Sequence, residues 1–194
     1  MKKTCGLMLL AFSLFTLKGF TQTEKGIINF GGTVDFSTTK STTSISTTSS
    51  TFGIGPRVGY FILDNLNIGS SLSFRHTKAN DFKTNQFSVA PFVRKYGSLS
   101  DAFKIFGQFS VPFSVSNEKI SSSEYKFRSV GVNLSPGFAF FPTKKIALEF
   151  SFTGISYESS KSDSNISQPN EVKRNTFSIG TNSFAPIIGV QFHL

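Results

Sequence analysis

Six charged side chains share one kind of position. Asp35, Arg57, Arg75, Arg94, Lys104 and Glu149 each fall on the polar side of a segment that alternates apolar and polar residues. A charge held inside a structure must find a partner, because burying it unpaired is costly. Arg57, Arg94, Lys104 and Glu149 fall in the middle or toward one end of their segments, and Asp35 and Arg75 near the other. The pattern predicts an interior ionic network in which four cations meet two anions. The surplus positive charge calls for water or a bound anion, and a narrow anion-preferring passage or pocket would supply either.

Other chemistry has little to stand on. There are two histidines, His76 beside Arg75 and Thr77, and His193 next to the last residue. A nucleophile needs a base within hydrogen-bond reach, oriented by a third group. Neither histidine has a Ser and carboxylate pattern around it, and Ser is too abundant to inform. The one cysteine, Cys5, lies near the N-terminus. Disulfides, thiolate metal sites and cysteine nucleophiles are therefore not expected in the rest of the chain. No catalytic residue, metal or cofactor is expected, and the chain does not read as an enzyme.

The elements that place these residues are eight alternating segments. Their bulky sides read Ile28, Phe30, Val34, Phe36; Phe52, Ile54, Pro56, Val58, Tyr60; Leu66, Ile68, Leu72, Phe74; and Phe87, Val89, Pro91, Val93. The other four read Phe103, Ile105, Phe109, Val111, Phe113; Val130, Val132, Leu134, Pro136, Phe138, Phe140; Ile146, Leu148, Phe150, Phe152; and Phe184, Pro186, Ile188, Val190, Phe192, Leu194. Each is about the length a tilted strand needs to cross a bilayer, about 9–11 residues. The connections at 61–65, 97–101 and 141–145 are short. Those at 37–50, 76–83, 114–124 and 158–175 are longer and rich in Ser, Thr and Asn. Short turns on one side and long loops on the other mark a bacterial outer-membrane barrel, turns periplasmic and loops outside. Prolines 56, 91, 136 and 186 recur at matching places, where a local bulge is expected. Phe177 and Ile179 are out of phase with the last segment, so a second bulge is expected near 180–183.

Volume decides which face is inside. An eight-stranded barrel has room for only one filling of side chains. The bulky set cannot fit there, whereas the opposing Gly, Ser, Ala, Thr and Asn can. The apolar face must point outward, and only lipid makes that stable. A lipocalin-like soluble barrel would need a charged outer face, and charged residues are only 16% of the chain.

Residues 1–21 read as a cleaved secretion signal, with Lys2 and Lys3 ahead of a short apolar stretch and small residues before Gln22. Residues 22–194 form one barrel domain. The net charge is +9, but the basic residues are scattered, so nucleic-acid binding is not expected. Lys126, Arg128, Lys173 and Arg174 lie where strands leave the membrane on the outer side, and could pair with lipopolysaccharide phosphates. Lys144 and Lys145 would face phospholipid heads at the opposite end.

The run Phe-x-Ile-x-Pro-Arg-Val-Gly-Tyr-Phe at 52–61, followed by Asn65-Leu66-Asn67-Ile68-Gly69, carries a resemblance. So do Pro136-Gly137-Phe138-Ala139-Phe140-Phe141, followed by Ile146-Ala147-Leu148-Glu149, and the final strand. Together they resemble the small outer-membrane β-barrel domain family common in Bacteroidetes, similar in plan to OmpA/OmpX-type barrels. The resemblance implies fold and location, and hardly any activity. In the family the last strand is read by the assembly machinery. Here Gly189, Phe192 and Leu194 would supply that signal, although Leu194 stands where an aromatic is usual.

The expected fold is all-β: an eight-stranded antiparallel up-and-down transmembrane barrel. The expected role is structural or surface-interacting, the outer loops meeting lipopolysaccharide or external partners. The alternative is a narrow porin-like channel for small, anionic solutes. The expected partners are outer-membrane lipids, lipopolysaccharide and the assembly machinery, with the barrel a monomer. No periplasmic domain that would anchor peptidoglycan is expected after Leu194.

Overall fold

Phe, Val, Ile and Thr alternating with Ser and Gly suit a pleated surface with two unlike faces. The chain accordingly forms strands. The computed structural model describes residues 22–42, 46–80, 82–120, 123–164, 172–179 and 187–194. The predicted signal, residues 1–21, lies outside them.

The strands are β1 (Ile28–Thr42), β2 (Ser46–Leu63), β3 (Leu66–Ala79), β4 (Phe82–Ser98), β5 (Phe103–Ser110), β6 (Phe113–Ile120), β7 (Ser123–Thr143), β8 (Ile146–Ser151), β9 (Ile155–Ser164), β10 (Val172–Ser178) and β11 (Ile187–His193). β5 and β6 both lie between β4 and β7 and act as one stave. β8 and β9 likewise share the next place, and β10 and β11 pair with β9 and β8. All pairings are antiparallel. β11 closes the sheet on β1, with Gly32 opposite Val190 and Asn29 opposite His193. The result is a closed eight-stranded barrel, sealed by β11 on β1; among the described residues the part of β1 beyond Thr33 pairs with β2 alone and β10 with β9 alone.

The faces fall as volume requires. The bulky residues point outward and are exposed, Phe36 at 73% and Val58 at 53%. Outward aromatic pairs stack across strands, Phe30 on Phe192 and Phe103 on Phe140.

The long connections differ from the sequence reading. Residues expected as loops continue as paired strand. Thr42 lies opposite Ser46, Ala79 opposite Phe82, and Ile120 opposite Ser123. β9 and β10 stay paired as far as Ser162 and Val172. The polar Ser/Thr stretch at 37–50 is thus a hairpin, with residues 43–45 outside the described ones. Thr and Ser favour extended backbone when a neighbouring strand satisfies their amides, so polarity marks where the barrel leaves lipid, not where the strand ends.

The prolines also differ from expectation. No register shift occurs in β2, β4 or β7 at Pro56, Pro91 or Pro136. Each instead lies beside a gap in the ladder on one side. Pro56 and Gly55 are unpaired toward β3, Pro91 faces the break at 111–112, and Pro136 faces the break at 152–154. A missing N–H costs little where the neighbouring ladder is already interrupted. At Pro136 the partner stave carries the bulge: residues 152–154 span the place of Ser135 and Pro136. Pro186 and the expected slip at 180–183 lie outside the described residues.

Candidate functional site

Inward positions in the half of the barrel near the short turns converge on one carboxylate. Glu149 on β8 has Ala139 and Gly189 as its register neighbours, and Arg57 on β2 has Gly31 and Ser71. Small neighbours leave room for long charged side chains to cross the lumen. Arg94 comes from β4, opposite Gln108 on β5.

Glu149 accepts from both arginines. Arg94 Nη1 lies 2.5 Å from its Oε1, and Arg57 Nη1 lies 3.0 Å from its Oε2. Tyr96 Oη donates to Oε1 at 3.2 Å, and Arg94 Nη1 donates to Tyr96 Oη at 2.9 Å. Arg94 completes its fork on Gln108 Oε1, through Nε at 3.0 Å and Nη2 at 2.7 Å. Its guanidinium sits 4.0 Å from the Phe106 ring centroid, within cation–π range. Arg94 is 1% exposed and Glu149 2%. Buried charges of this kind depend on such hydrogen bonds as well as on the pairing itself. The group still carries one more cation than anion, and Arg57 Nε has no hydrogen-bond partner among the described residues.

Below this group the lumen is filled by Phe61, Tyr96, Phe106 and Phe141, with the His193 ring against Phe61 and Phe141. Residues just after the predicted signal seal the same end. Gln22 Nε2 donates to the Thr143 carbonyl, Thr23 Oγ1 donates to Asn65 Oδ1, and His193 Nδ1 meets the Gln22 carbonyl at 2.8 Å. Phe92 covers the ion group from above, its ring 5.6 Å from Arg57 and 5.7 Å from Arg94, and beyond it a polar cavity of about 410 Å³ is lined by Ser114, Ser116, Glu118, Glu158, Ser160 and Arg174 among others.

The six predicted interior charges therefore divide. Arg57, Arg94 and Glu149 come together. Asp35 and Arg75 form a separate pair at 3.4 Å, half-exposed near the outer end. Lys104 stands apart: it is buried, and its Nζ donates to Asn65 Oδ1 at 3.2 Å and Ser98 Oγ at 3.0 Å.

The four predicted outer cations divide too. Lys126, Arg128 and Lys173 sit at outward positions and are exposed. Arg174 instead lines the inner cavity, because a strand turns successive side chains to opposite faces. Gly189 and Phe192 lie on β11, with Phe192 outward, and Leu194 continues the pairing through two backbone bonds with Ile28. His76 is on β3, not in a loop, and its Nδ1 meets Asn85 Oδ1 at 2.7 Å.

The sequence reading gives Tyr96, Gln108, Phe61, Phe106 and Phe141 no part in the site. Their signal is available: each is a large residue on the side of its strand that otherwise carries small ones.

Comparison with known proteins bears on the fold. No curated protein matches the chain in sequence. The outer membrane protein OprG from Pseudomonas aeruginosa is similar in structure, with a TM-score of 0.54 at 14% identity, covering 90% of this chain and 99% of that one. Neisserial surface protein A is matched with a TM-score of 0.49 at 12% identity, over 86% of this chain and 95% of that one. The family model described as outer membrane protein beta-barrel domain matches residues 7–182. The chain belongs to that family of bacterial outer-membrane β-barrels.

Proposed function

We propose that this barrel does not conduct, and that its role is structural and at the outer surface. The observation that carries the reading is the filled lumen: one carboxylate clamps Arg57 and Arg94 across the bore. Aromatic side chains and residues 22–23 fill the space beneath them. Opening a path would unpair buried charges, at several kcal/mol each. The paired hairpins raise the barrel above the lipid and give it a stiff surface for lipopolysaccharide or external partners. In this reading residues 1–21 are a signal removed on secretion from a Gram-negative cell. Gly189, Phe192 and Leu194 are the strand that the assembly machinery reads, and the barrel works as a monomer. It is not an enzyme.

A second reading keeps one observation in its favour. The surplus cation and the partnerless Nε of Arg57 lie beneath an open polar cavity, which suits a narrow anion-preferring channel.

Solute flux into proteoliposomes separates the two. The closed reading predicts uptake of small anions and sugars no faster than in protein-free vesicles. Uptake that prefers anions would replace it with the channel.

A further inference from the structure

The outer half of the bore holds charges that do not meet. Every other inward charge among the described residues has a partner: Arg57 and Arg94 on Glu149, Arg75 on Asp35, and Lys104 on Asn65 and Ser98. Glu118 on β6, Glu158 on β9 and Arg174 on β10 line the polar cavity beyond Phe92. None of these three side chains makes a hydrogen bond or ion pair among the described residues. Arg174 is close enough to pull on the Glu118 carboxyl, yet the two stay apart, on strands separated by β7 and β9.

Register shows what lies between them. Ser114 on β6 is opposite Ser129 on β7, Ser129 opposite Ser160 on β9, and Ser160 opposite Arg174. The row is a band of hydroxyls that ends at a guanidinium. Phe127 stands one inward step nearer the outer end of β7, between Ser116 and Ser162. Its ring lines the cavity half-buried and meets no other ring among the described residues. Phe61 and Phe106, by contrast, are buried against neighbouring rings and fill space.

Unmet polar groups inside a structure are costly. Water answers them one at a time, so a ligand displaces it by answering several together. The lining sets four demands: donors for the carboxylates, an acceptor for the guanidinium, partners for the serine hydroxyls, and an apolar face for Phe127. Two carboxylates against one guanidinium disfavour a lone anion, and a lone cation leaves Arg174 unanswered. A zwitterion matches the charges but leaves the hydroxyl band to water. A polyhydroxylated ring meets all four demands, because each hydroxyl both donates and accepts and the ring carbons present an apolar face. The volume of about 410 Å³ is that of a small-molecule pocket.

We propose that this cavity binds a neutral sugar the size of a disaccharide, its hydroxyls donating to Glu118 and Glu158, its oxygens accepting from Arg174, and one ring lying against Phe127. The proposal deepens the reading above, in which the barrel is closed below and works at its outer surface, by naming the class of its external partner. The two fail separately: binding in detergent tests the site, and flux into vesicles tests the closure.

The test uses the folded barrel in an amine-oxide detergent, which carries no sugar of its own. Saturation-transfer NMR and calorimetry follow titration with maltose, cellobiose and chitobiose, and with glycylglycine and inorganic phosphate for comparison. At least one disaccharide is expected to bind with a Kd below about 10 mM, and neither comparison compound to bind as tightly. Phe127→Ala should weaken that binding about fivefold, and Phe127→Tyr should keep it. Arg174→Ala should weaken it about tenfold, the loss of a charged donor. Glu118→Gln keeps an acceptor without the charge, so sugar binding should stay within about threefold of wild type. Lys95→Gln, outward on β4, should change nothing. Heat-dependent gel migration checks that each variant is folded, and Arg174→Gln replaces Arg174→Ala if the latter is not. The proposal is overturned if no disaccharide binds in that range, or if glycylglycine or phosphate binds more tightly than every sugar. Folded Phe127→Ala and Arg174→Ala barrels that bind as wild type does would also overturn it, as would loss of binding in Glu118→Gln, the mark of a ligand held by charge.

Discussion

Arg94 and Glu149, 55 residues apart in the chain, meet at 2.5 Å in the middle of the barrel with almost no exposure to solvent. Arg57 reaches the other oxygen of the same carboxylate. The carboxylate is therefore the hinge of the group, and removing it leaves two buried guanidinium groups without a counter-charge. Glu149→Ala should destabilise the barrel by about 3–5 kcal/mol, as breaking a buried pair does. Glu149→Asp should cost less. Urea unfolding in vesicles, followed by heat-dependent gel migration, measures both. A Glu149→Ala barrel as stable as wild type would show that the ion group holds nothing.

Lys104 is a contrast within the same lumen. It donates to neutral oxygens of Asn65 and Ser98 and is no part of the Glu149 group. Lys104→Met should cost about 1–3 kcal/mol, the range for losing hydrogen bonds from a charged donor. Its double mutant with Glu149→Ala should be additive. A coupling energy well above about 0.5 kcal/mol would place Lys104 in the network after all.

Glycine tells where the staves are crowded. A Cβ on Gly154 would run into the Leu134 carbonyl and the Pro136 ring, whereas a Cβ on Gly107 would meet nothing within 4 Å. Gly154→Ala should therefore destabilise by about 1–3 kcal/mol, and Gly107→Ala should be near neutral. Equal effects from the two substitutions, read from their unfolding midpoints, would count against the bulge opposite Pro136.

Glu118 offers a pH test beyond Val115, the last outward apolar residue of β6, with Asn117 and Lys119 on either side of it exposed. Partial burial in the cavity raises its pKa above 4.5, against an opposing pull from Arg174. A carboxyl with a raised folded-state pKa binds its proton more tightly folded than unfolded. It therefore costs stability above that pKa and costs nothing once protonated in both states. Glu118→Gln should be more stable than wild type at about pH 8, with the difference gone by about pH 4. A gap that widens on acidification would reverse the assignment.

Much of this was legible in the residues, and what was missed has physical reasons. Period-two alternation and the bulk of Phe, Val and Ile put the apolar face on the outside, and Phe36 and Val58 are exposed there. The inward parity of Arg57, Arg94 and Glu149 could be read, but not their meeting, since it depends on register between β2, β4 and β8. The same parity rule separates Lys173 from Arg174, yet adjacency in sequence grouped them on one rim. The Ser/Thr hairpins read as loops because polarity was taken for the end of the strand. Proline at 56, 91 and 136 signalled an irregularity, but the interruption falls on the neighbouring ladder, which one strand's sequence does not reveal.

The central claim is that the ion group and the aromatic filling close the lumen, and single-channel conductance of the refolded barrel in a planar bilayer tests it most directly. The closed barrel predicts a silent wild type, with current appearing only when the clamp is cut, as in Arg94→Ala with Glu149→Ala. Discrete, anion-selective openings in the wild type, reduced by Arg57→Ala, would contradict it.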